Sequence, residues 1–316
     1  MPTGLVYDER FLLHDTGPGH PERPDRLRAV VNELRDGGLW DRLDHISFQP
    51  AERSTIQSVH EAAYIDRLEA ACSSGLPFID EPDSTICPGS FDIACLAIGG
   101  VVAAVDSVMD RQVANAFCAV RPPGHHAEAD RSMGFCLFNN VAIAACRLQE
   151  RHGIARVAIV DFDVHHGNGT QHIFEQCADV MFLSLHQDPA LLYPGTGFSD
   201  ETGQGSGEGA TINIPMAPRS DDDDYRRAFE SDVMPALERF DPQALLVSAG
   251  FDASVHDPLA QVAVTRAGFR WMATQLKAVA DRHCQGRMIS ILEGGYHLDA
   301  LAEAVCDHVE VLVGDG

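Results

Sequence analysis

The sequence predicts an α/β fold, with a mostly parallel sheet flanked by helices on both faces. Short apolar segments alternate with amphipathic helical patterns along all 316 residues. Polar, glycine-rich segments directly follow several of the apolar ones. Alternating β and α elements are typical of parallel sheets. Because no linker rich in Pro, Gly or Ser divides the chain, we expect residues 1–316 to form one domain.

The individual elements follow from periodicity and from turn residues. Continuous apolar runs bounded by turn residues predict buried strands, at 4–7, 116–120, 157–160, 180–185, 211–214, 244–248 and 288–292. Amphipathic periodicity predicts helices, at 26–34, 90–108, 141–150, 225–239 and 267–282. The glycine-rich segment 187–209 is the one long loop, and loops of that length are usually functional or mobile.

The amino-acid composition narrows the expected partners and the expected cellular compartment of the protein. The 47 acidic residues against 23 basic ones give a formal net charge of −24. Such a surface repels nucleic acid and anionic membranes, so we expect neither as a partner, and it attracts cationic ligands. The 9 cysteines form no CxxC pair, which predicts free thiols in a reducing compartment. Without an apparent signal peptide or a long uninterrupted apolar run, we expect a cytoplasmic location.

The most informative segment follows the predicted strand 157–160. It reads Asp-Phe-Asp-Val-His-His-Gly-Asn-Gly-Thr-Gln at 161–171. Asp163 and His165 are separated by one residue, so in extended backbone both side chains point to the same side. A carboxylate oxygen and an imidazole nitrogen are suitable ligands for zinc. The alternative is a solvated turn, but so many ligand types in a short segment favour a metal site.

Other strand ends add polar groups to the same predicted edge of the sheet. His125 and His126 follow the strand 116–120 and are candidates for general acid and base catalysis. Asp252 follows 244–248, and Tyr296 follows 288–292 after two glycines. With Asp252 as third ligand, a metal would keep an open position, as a catalytic site requires.

These segments together resemble the histone deacetylase family. The matching motifs occur in order at 20–24, 121–127, 134–136, 161–171, 184–186, 193–197, 248–252 and 293–296. The resemblance covers nearly the whole chain, and it implies the arginase-like α/β fold and a single deacetylase-like catalytic domain. It also implies one Zn²⁺ per chain, held by Asp163, His165 and Asp252, and hydrolysis of an acylated amine by an activated water. Fe²⁺ would suit the same ligands.

The resemblance further implies catalytic roles. His126 would be the general base and acid, with His125 beside it, and Asp161 would orient His125. Tyr296 would donate a hydrogen bond to the developing oxyanion. Asn168 departs from the class I pattern, which has Asp there, so His126 should be less basic than in that branch.

The resemblance also implies which residues would contact the substrate and a structural ion. Residues matching the acyl-lysine tunnel and its rim are Gly134, Phe135, Tyr193, Asp83, Ser84 and Leu259. A structural K⁺ site would involve Asp161, Asp163, His165, Ser184 and Leu185. Arg26 matches an arginine at the cavity floor. The family usually has Phe where Tyr193 stands.

Several alternatives stay open at this point. An acetylpolyamine substrate would suit the acidic composition, but polyamine-specific relatives have a carboxylate where Leu259 stands. A catalytically silent acetyl-amine binding protein would be expected to have lost Tyr296, a ligand or the histidine pair. A two-metal ureohydrolase would need further Asp and His ligands. An acylated lysine peptide or protein, or a small acylated amine, is therefore the expected partner, and a homo-oligomer is possible.

Overall fold

The computed structural model describes residues 1–314, and it contains one eight-stranded sheet. The strands are β1 (Thr3–Val6), β2 (Asp44–His45), β3 (Asn115–Cys118), β4 (Val157–Asp161), β5 (Val180–Gln187), β6 (Thr211–Met216), β7 (Ala244–Ala249) and β8 (Met288–Leu292). Their order is β2-β1-β3-β8-β7-β4-β5-β6, and every neighbouring pair is parallel. The predicted α/β fold with a parallel sheet is confirmed.

Helices connect the strands. They are α1 (Asp25–Asp36), α2 (Arg53–Ile56), α3 (Ala62–Ser73), α4 (Ser90–Met109), α5 (Asn140–His152), α6 (Asn168–Phe174), α7 (Asp222–Ala228), α8 (Met234–Phe240), α9 (Arg266–His283) and α10 (Leu298–Val313). Short 3₁₀ helices occupy Glu9–Leu13, Trp40–Arg42 and Gly205–Gly207.

Some elements differ from the sequence prediction. The two-residue edge strand β2 is exposed and polar, so it has no apolar run to reveal it. The predicted helix 225–239 is divided, because a π-helical segment at Phe229–Val233 joins α7 to α8. Helix α10 was not predicted. It packs against both α1 and α9, so buried residues lie on more than one side of it.

Helix α4 is long and apolar enough to cross a membrane by length and composition alone, with a mean hydropathy of 1.9. However, 72% of the window is buried inside the structure, as in the core helix of a globular domain. The 9 cysteines are all free, as predicted.

The strand register brings the functional segments together. Asp161 at the end of β4 is paired with Ser184 of β5 on one side and with Ser248 of β7 on the other. Ser248 is paired in turn with Ile291 of β8. Because these strands are parallel and fully buried, their carboxyl ends open onto one edge of the sheet.

Candidate active site

Three buried side chains from the loops after β4 and β7 form a cluster that could hold a metal ion. One ligand atom each from Asp163, His165 and Asp252 lies within 4.8 Å of the others. His165 Nδ1 is 3.1 Å from Asp163 Oδ1 and 3.1 Å from Asp252 Oδ2. The same ring nitrogen therefore faces two carboxylates, and either a proton or a cation between them would hold the cluster together.

Two glycines leave the space that the carboxylates of Asp163 and Asp252 occupy. A Cβ atom on Gly250 would lie 2.0 Å from Asp163 Oδ2, and one on Gly294 would lie 2.1 Å from Asp252 Oδ2. The backbone N–H of Gly294 donates to Asp163 Oδ2 at 2.8 Å. The N–H of Val164 donates to Asp252 Oδ1 at 2.9 Å. These hydrogen bonds fix both carboxylates from behind.

The electrostatics of the cluster favour a cation. Burial, together with the nearby Asp163, raises the pKa of Asp252 to about 7. Burial also opposes the charged form of Asp163, but His125 and His165 outweigh it and lower the pKa of Asp163. Burial opposes protonation of His165, yet its bonds to the two carboxylates raise its pKa to about 10. A divalent ion would supply the positive charge that the His165 proton otherwise provides.

The two adjacent histidines have different environments. His125 Nδ1 lies 2.9 Å from Asp161 Oδ2, whereas His126 Nδ1 lies 2.7 Å from Asn168 Oδ1. Burial opposes protonation of His125, but Asp161 and Asp163 raise its pKa to about 10. Burial, His125 and His165 lower the pKa of His126 well below its usual value. His126 is therefore neutral and able to accept a proton, and its lowered pKa comes from burial and the neighbouring histidines, since the hydrogen bond to Asn168 raises it.

An open cavity of about 230 Å³ leads from the surface to this cluster. Its lining residues are Asp83, His126, Gly134, Phe135, His165, Leu192, Tyr193, Leu259 and Tyr296. Five of the six predicted substrate residues are among them, and Leu192 was not predicted. Ser84 is fully buried and does not line the cavity. Its hydroxyl donates to Asp83 Oδ1 at 3.2 Å, so its contact is with the rim carboxylate.

Tyr296 lines the cavity, and its ring lies against Arg26. The guanidinium carbon of Arg26 is 5.1 Å from the centre of the Tyr296 ring. Arg26 Nε donates to the carbonyl of Gly295 at 2.6 Å, which holds the loop that carries Tyr296. Burial and Asp252 raise the pKa of Tyr296 well above its usual value, so the hydroxyl keeps its proton and can donate it in a hydrogen bond.

Three of the five residues of the predicted K⁺ site are neighbours in the sheet, whereas Asp163 and His165 lie in the loop after β4. Asp161 and Ser184 pair in register at the ends of β4 and β5, and Leu185 follows directly. All three are fully buried. Ser184 Oγ also lies 2.8 Å from His186 Nδ1, so one of its hydrogen bonds is made within the protein.

The long loop 187–209 carries part of the cavity wall and is bonded to the strand ends beneath it. His166 Nδ1 lies 2.9 Å from Thr196 Oγ1, and His186 Nε2 lies 2.8 Å from the carbonyl of Gly197. These two histidines therefore hold the loop on which Leu192 and Tyr193 stand.

Two carboxylates near the site, the buried Glu293 and the partly buried Glu128, were not predicted. Glu293 Oε2 accepts from the backbone N–H groups of Gly124 at 2.6 Å and His125 at 3.1 Å, and so fixes the loop of the histidine pair. Glu128 lies 2.8 Å from Asn168 Nδ2. Glu293 lies within the motif 293–296, and Glu128 directly follows the motif 121–127. A sequence motif, however, does not show where these side chains point.

Comparison with known proteins decides the family. Residues 20–312 match the Histone deacetylase domain family. The histone deacetylase-like amidohydrolase of Pseudomonas aeruginosa is 39% identical over 311 residues, covering 93% of this chain and 81% of the relative. The probable deacetylase of Archaeoglobus fulgidus is 40% identical over 301 residues, covering 95% and 82%. The chain belongs to the histone deacetylase family.

A solved structure agrees with this assignment. The crystal structure of the HDA15 HD domain matches with a TM-score of 0.94 and 40% identity, over 99% of this chain and 89% of that one. The relatives are named deacetylases and amidohydrolases, so this histone deacetylase family member is a hydrolase that acts on amide bonds. The family is generally metal-dependent, and the cluster of Asp163, His165 and Asp252 is a possible site for the metal.

Proposed function

We propose that this chain is a zinc-dependent amidohydrolase that removes acetyl or other acyl groups from acylated lysine-type amines. One observation carries the proposal. The cavity reaches His165 of the three-ligand cluster, and a neutral imidazole, His126, and a protonated hydroxyl, Tyr296, also line it. We further propose that residues 1–316 form one catalytic domain and that it works in the cytoplasm.

The residues that would hold the metal are Asp163, His165 and Asp252. Bound there, Zn²⁺ would polarise the acyl carbonyl and lower the pKa of a water molecule. Two carboxylates and one imidazole complete three protein ligands and leave room for substrate and water. A structural K⁺ near Asp161 and Ser184, with Asp163, His165 and Leu185, belongs to the same proposal.

His126 would move the proton of the reaction. As a neutral imidazole it accepts the proton of the attacking water, and as imidazolium it delivers that proton to the leaving amine. His125 is held by the Asp161 carboxylate, which favours the protonated imidazole and so places positive charge beside the reacting group. The Tyr296 hydroxyl would donate to the carbonyl oxygen as negative charge develops there.

The lining of the cavity supports an acyl-lysine chain. Phe135 and Tyr193 present aromatic surface to an aliphatic chain, and Leu259 offers no charge to a distal ammonium group. Asp83 stands at the rim, where a carboxylate can accept from amide N–H groups of a bound peptide. An acetylpolyamine is the second candidate, because the net charge of −24 attracts polycations.

The test is kcat/KM on a matched panel with enzyme loaded separately with Zn²⁺ and Fe²⁺. The panel holds acetyl-, longer acyl- and trifluoroacetyl-lysine peptides beside N-acetylputrescine and N-acetylspermidine. Preference for lysine peptides supports the proposal and ranks the acyl groups. Preference for acetylpolyamines would replace the substrate class. Absence of turnover in every metal form would favour the silent binding protein.

A further inference from the structure

We infer that Glu128 is a positioning residue that acts through Asn168 to set which ring nitrogen of His126 carries the proton. The inference rests on the proposed role of His126 as the proton acceptor. It concerns a contact on the far side of the imidazole from the cavity, and it explains how an uncharged asparagine can serve behind a general base.

The three side chains form a continuous hydrogen-bonded series. His126 Nδ1 is 2.7 Å from Asn168 Oδ1, and Asn168 Nδ2 is 2.8 Å from Glu128 Oε1. His126 and Asn168 are buried, and the Glu128 side chain is 12% exposed. The series therefore runs from the cavity towards the surface of the protein.

An amide side chain can be placed in either of two orientations, and they would have opposite effects on His126. With its oxygen towards Nδ1, Asn168 requires a proton on Nδ1 and leaves Nε2 free to accept one. With its NH₂ group towards Nδ1, Asn168 would require a bare Nδ1, and the neutral ring would carry its proton on Nε2. Only the first arrangement leaves a base at Nε2.

Glu128 decides between these orientations because a carboxylate can only accept hydrogen bonds. The group of Asn168 that faces Glu128 must be the NH₂ group, so the oxygen must face His126. The backbone carbonyl of His126, 3.4 Å from Asn168 Nδ2, is also an acceptor and favours the same orientation. An aspartate at position 168 would need no such partner, since both of its oxygens accept.

Glu128 is itself fixed in the charged state. Its Oε1 accepts from Arg131 Nη2 at 3.0 Å and lies 3.0 Å from His172 Nδ1. Burial opposes the charge, but His172 and Arg131 lower the pKa of Glu128 to about 2. A carboxylate that stays ionised has no proton with which to donate to the amide oxygen of Asn168.

A close backbone contact sets the distance between the two partners. A Cβ atom on Gly169 would lie 2.2 Å from the carbonyl oxygen of Ala127. The loop that carries His126 and Glu128 therefore lies directly against the first turn of α6, which begins at Asn168. Backbone packing therefore fixes the distance between the loop that carries His126 and Glu128 and the helix turn that carries Asn168.

The test is a double-mutant cycle with a spectroscopic readout. We expect Glu128→Ala to lower kcat about tenfold on the best substrate of the panel. General-base catalysis contributes about 10²–10⁴ to the rate, and the variant should lose only part of the His126 population that carries its proton on Nδ1. The same change made in an Asn168→Asp background should not lower kcat, because the carboxylate at 168 accepts from Nδ1 without help and is then freed from repulsion by Glu128. Glu128→Gln keeps an acceptor oxygen and should lie between wild type and Glu128→Ala.

The tautomer can be read directly from ¹⁵N chemical shifts of the histidine ring nitrogens in the metal-free protein. Wild type should show His126 with the proton on Nδ1, and Glu128→Ala should show a fraction with the proton on Nε2. Signals are assigned by their loss in His126→Ala. Asp106→Asn is the matched control, because Asp106 is a partly buried carboxylate that binds Arg147 and His152 instead.

Three outcomes overturn the inference. Unchanged ring shifts in Glu128→Ala would show that Glu128 does not set the tautomer. An equal loss of kcat with and without Asn168→Asp, or an equal loss in Asp106→Asn, would show a general structural role. If the wild type turns over nothing, the proposed function fails, while the ring shifts still decide whether Glu128 orients Asn168.

Discussion

Gly134 lies directly against the imidazole of His126. A Cβ atom on Gly134 would stand 2.2 Å from His126 Cδ2, closer than nonbonded carbon atoms approach. Gly134 also has a φ of +53°, in the region that glycine adopts at little cost. The position of His126, the proposed general base, therefore depends on residue 134 having no side chain.

Gly134→Ala should displace the His126 ring and lower kcat about 100-fold, since a shift of about 1 Å in a catalytic group can cost that much. Gly205→Ala is the control, because Gly205 has a φ of +56° and open space around its Cβ position. Kinetics on one peptide and the thermal midpoint of each variant check the prediction. Similar kcat losses in both variants would attribute the effect to backbone strain alone.

Tyr296→Phe should lower kcat about 10²–10³-fold with a small change in KM, because only the hydroxyl donor is lost. The ring contact with Arg26 would remain, so the fold and the metal content should not change. Kinetics together with metal analysis by mass spectrometry check this. Wild-type kcat in the variant would remove Tyr296 from the proposed mechanism.

Removal of the metal should destabilise the protein, because the single charge of protonated His165 would replace a divalent ion beside the buried carboxylates of Asp163 and Asp252. Zinc at about 100 times its Kd should restore about 2.7 kcal/mol of unfolding free energy. Asp252→Asn should abolish most of this stabilisation, whereas Asp83→Asn, at the rim, should retain it. Thermal unfolding with and without a chelator is the measurement, and equal zinc effects in both variants would place the metal elsewhere.

Glu22 is the centre of a buried ionic network that supports the active-site loop. Its carboxylate binds Arg121 at 2.5 and 2.7 Å and Arg26 at 3.1 Å. Glu22→Gln should cost about 3–5 kcal/mol, because it leaves buried arginine charge uncompensated. Asp8→Asn, which breaks the more exposed pair with Arg10, should cost no more than about 1 kcal/mol. Urea unfolding of both variants tests the contrast.

The same network predicts a pH dependence. Burial raises the pKa of Glu22, but Arg121 outweighs it and lowers the pKa from 4.5 to about 2. A lowered carboxyl pKa gives stability that is full above the unfolded pKa and is lost as pH falls through the folded one. The stability difference between wild type and Glu22→Gln should therefore shrink from about pH 4.5 downwards. A difference that stays constant from about pH 6 to about pH 3 would contradict this.

Much of this architecture is visible in the sequence. The apolar runs predict the seven longer strands, because a buried parallel strand is apolar along its whole length. The polar groups at their carboxyl ends, Asp163, His165 and Asp252 among them, predict a shared site, because parallel strands end at one edge. The sequence alone was enough to predict this shared site, because each of these residues follows closely after the strand that places it.

Only the tertiary structure decided which distant groups meet. The order of the strands puts β8 between β3 and β7, and so brings Glu293 under the loop of His125. It also decided that Glu128 faces Asn168 and that Ser84 supports Asp83 from a buried position. Such contacts leave no periodic pattern, because they join loops whose distance is set by packing of the whole sheet and not by local backbone preference.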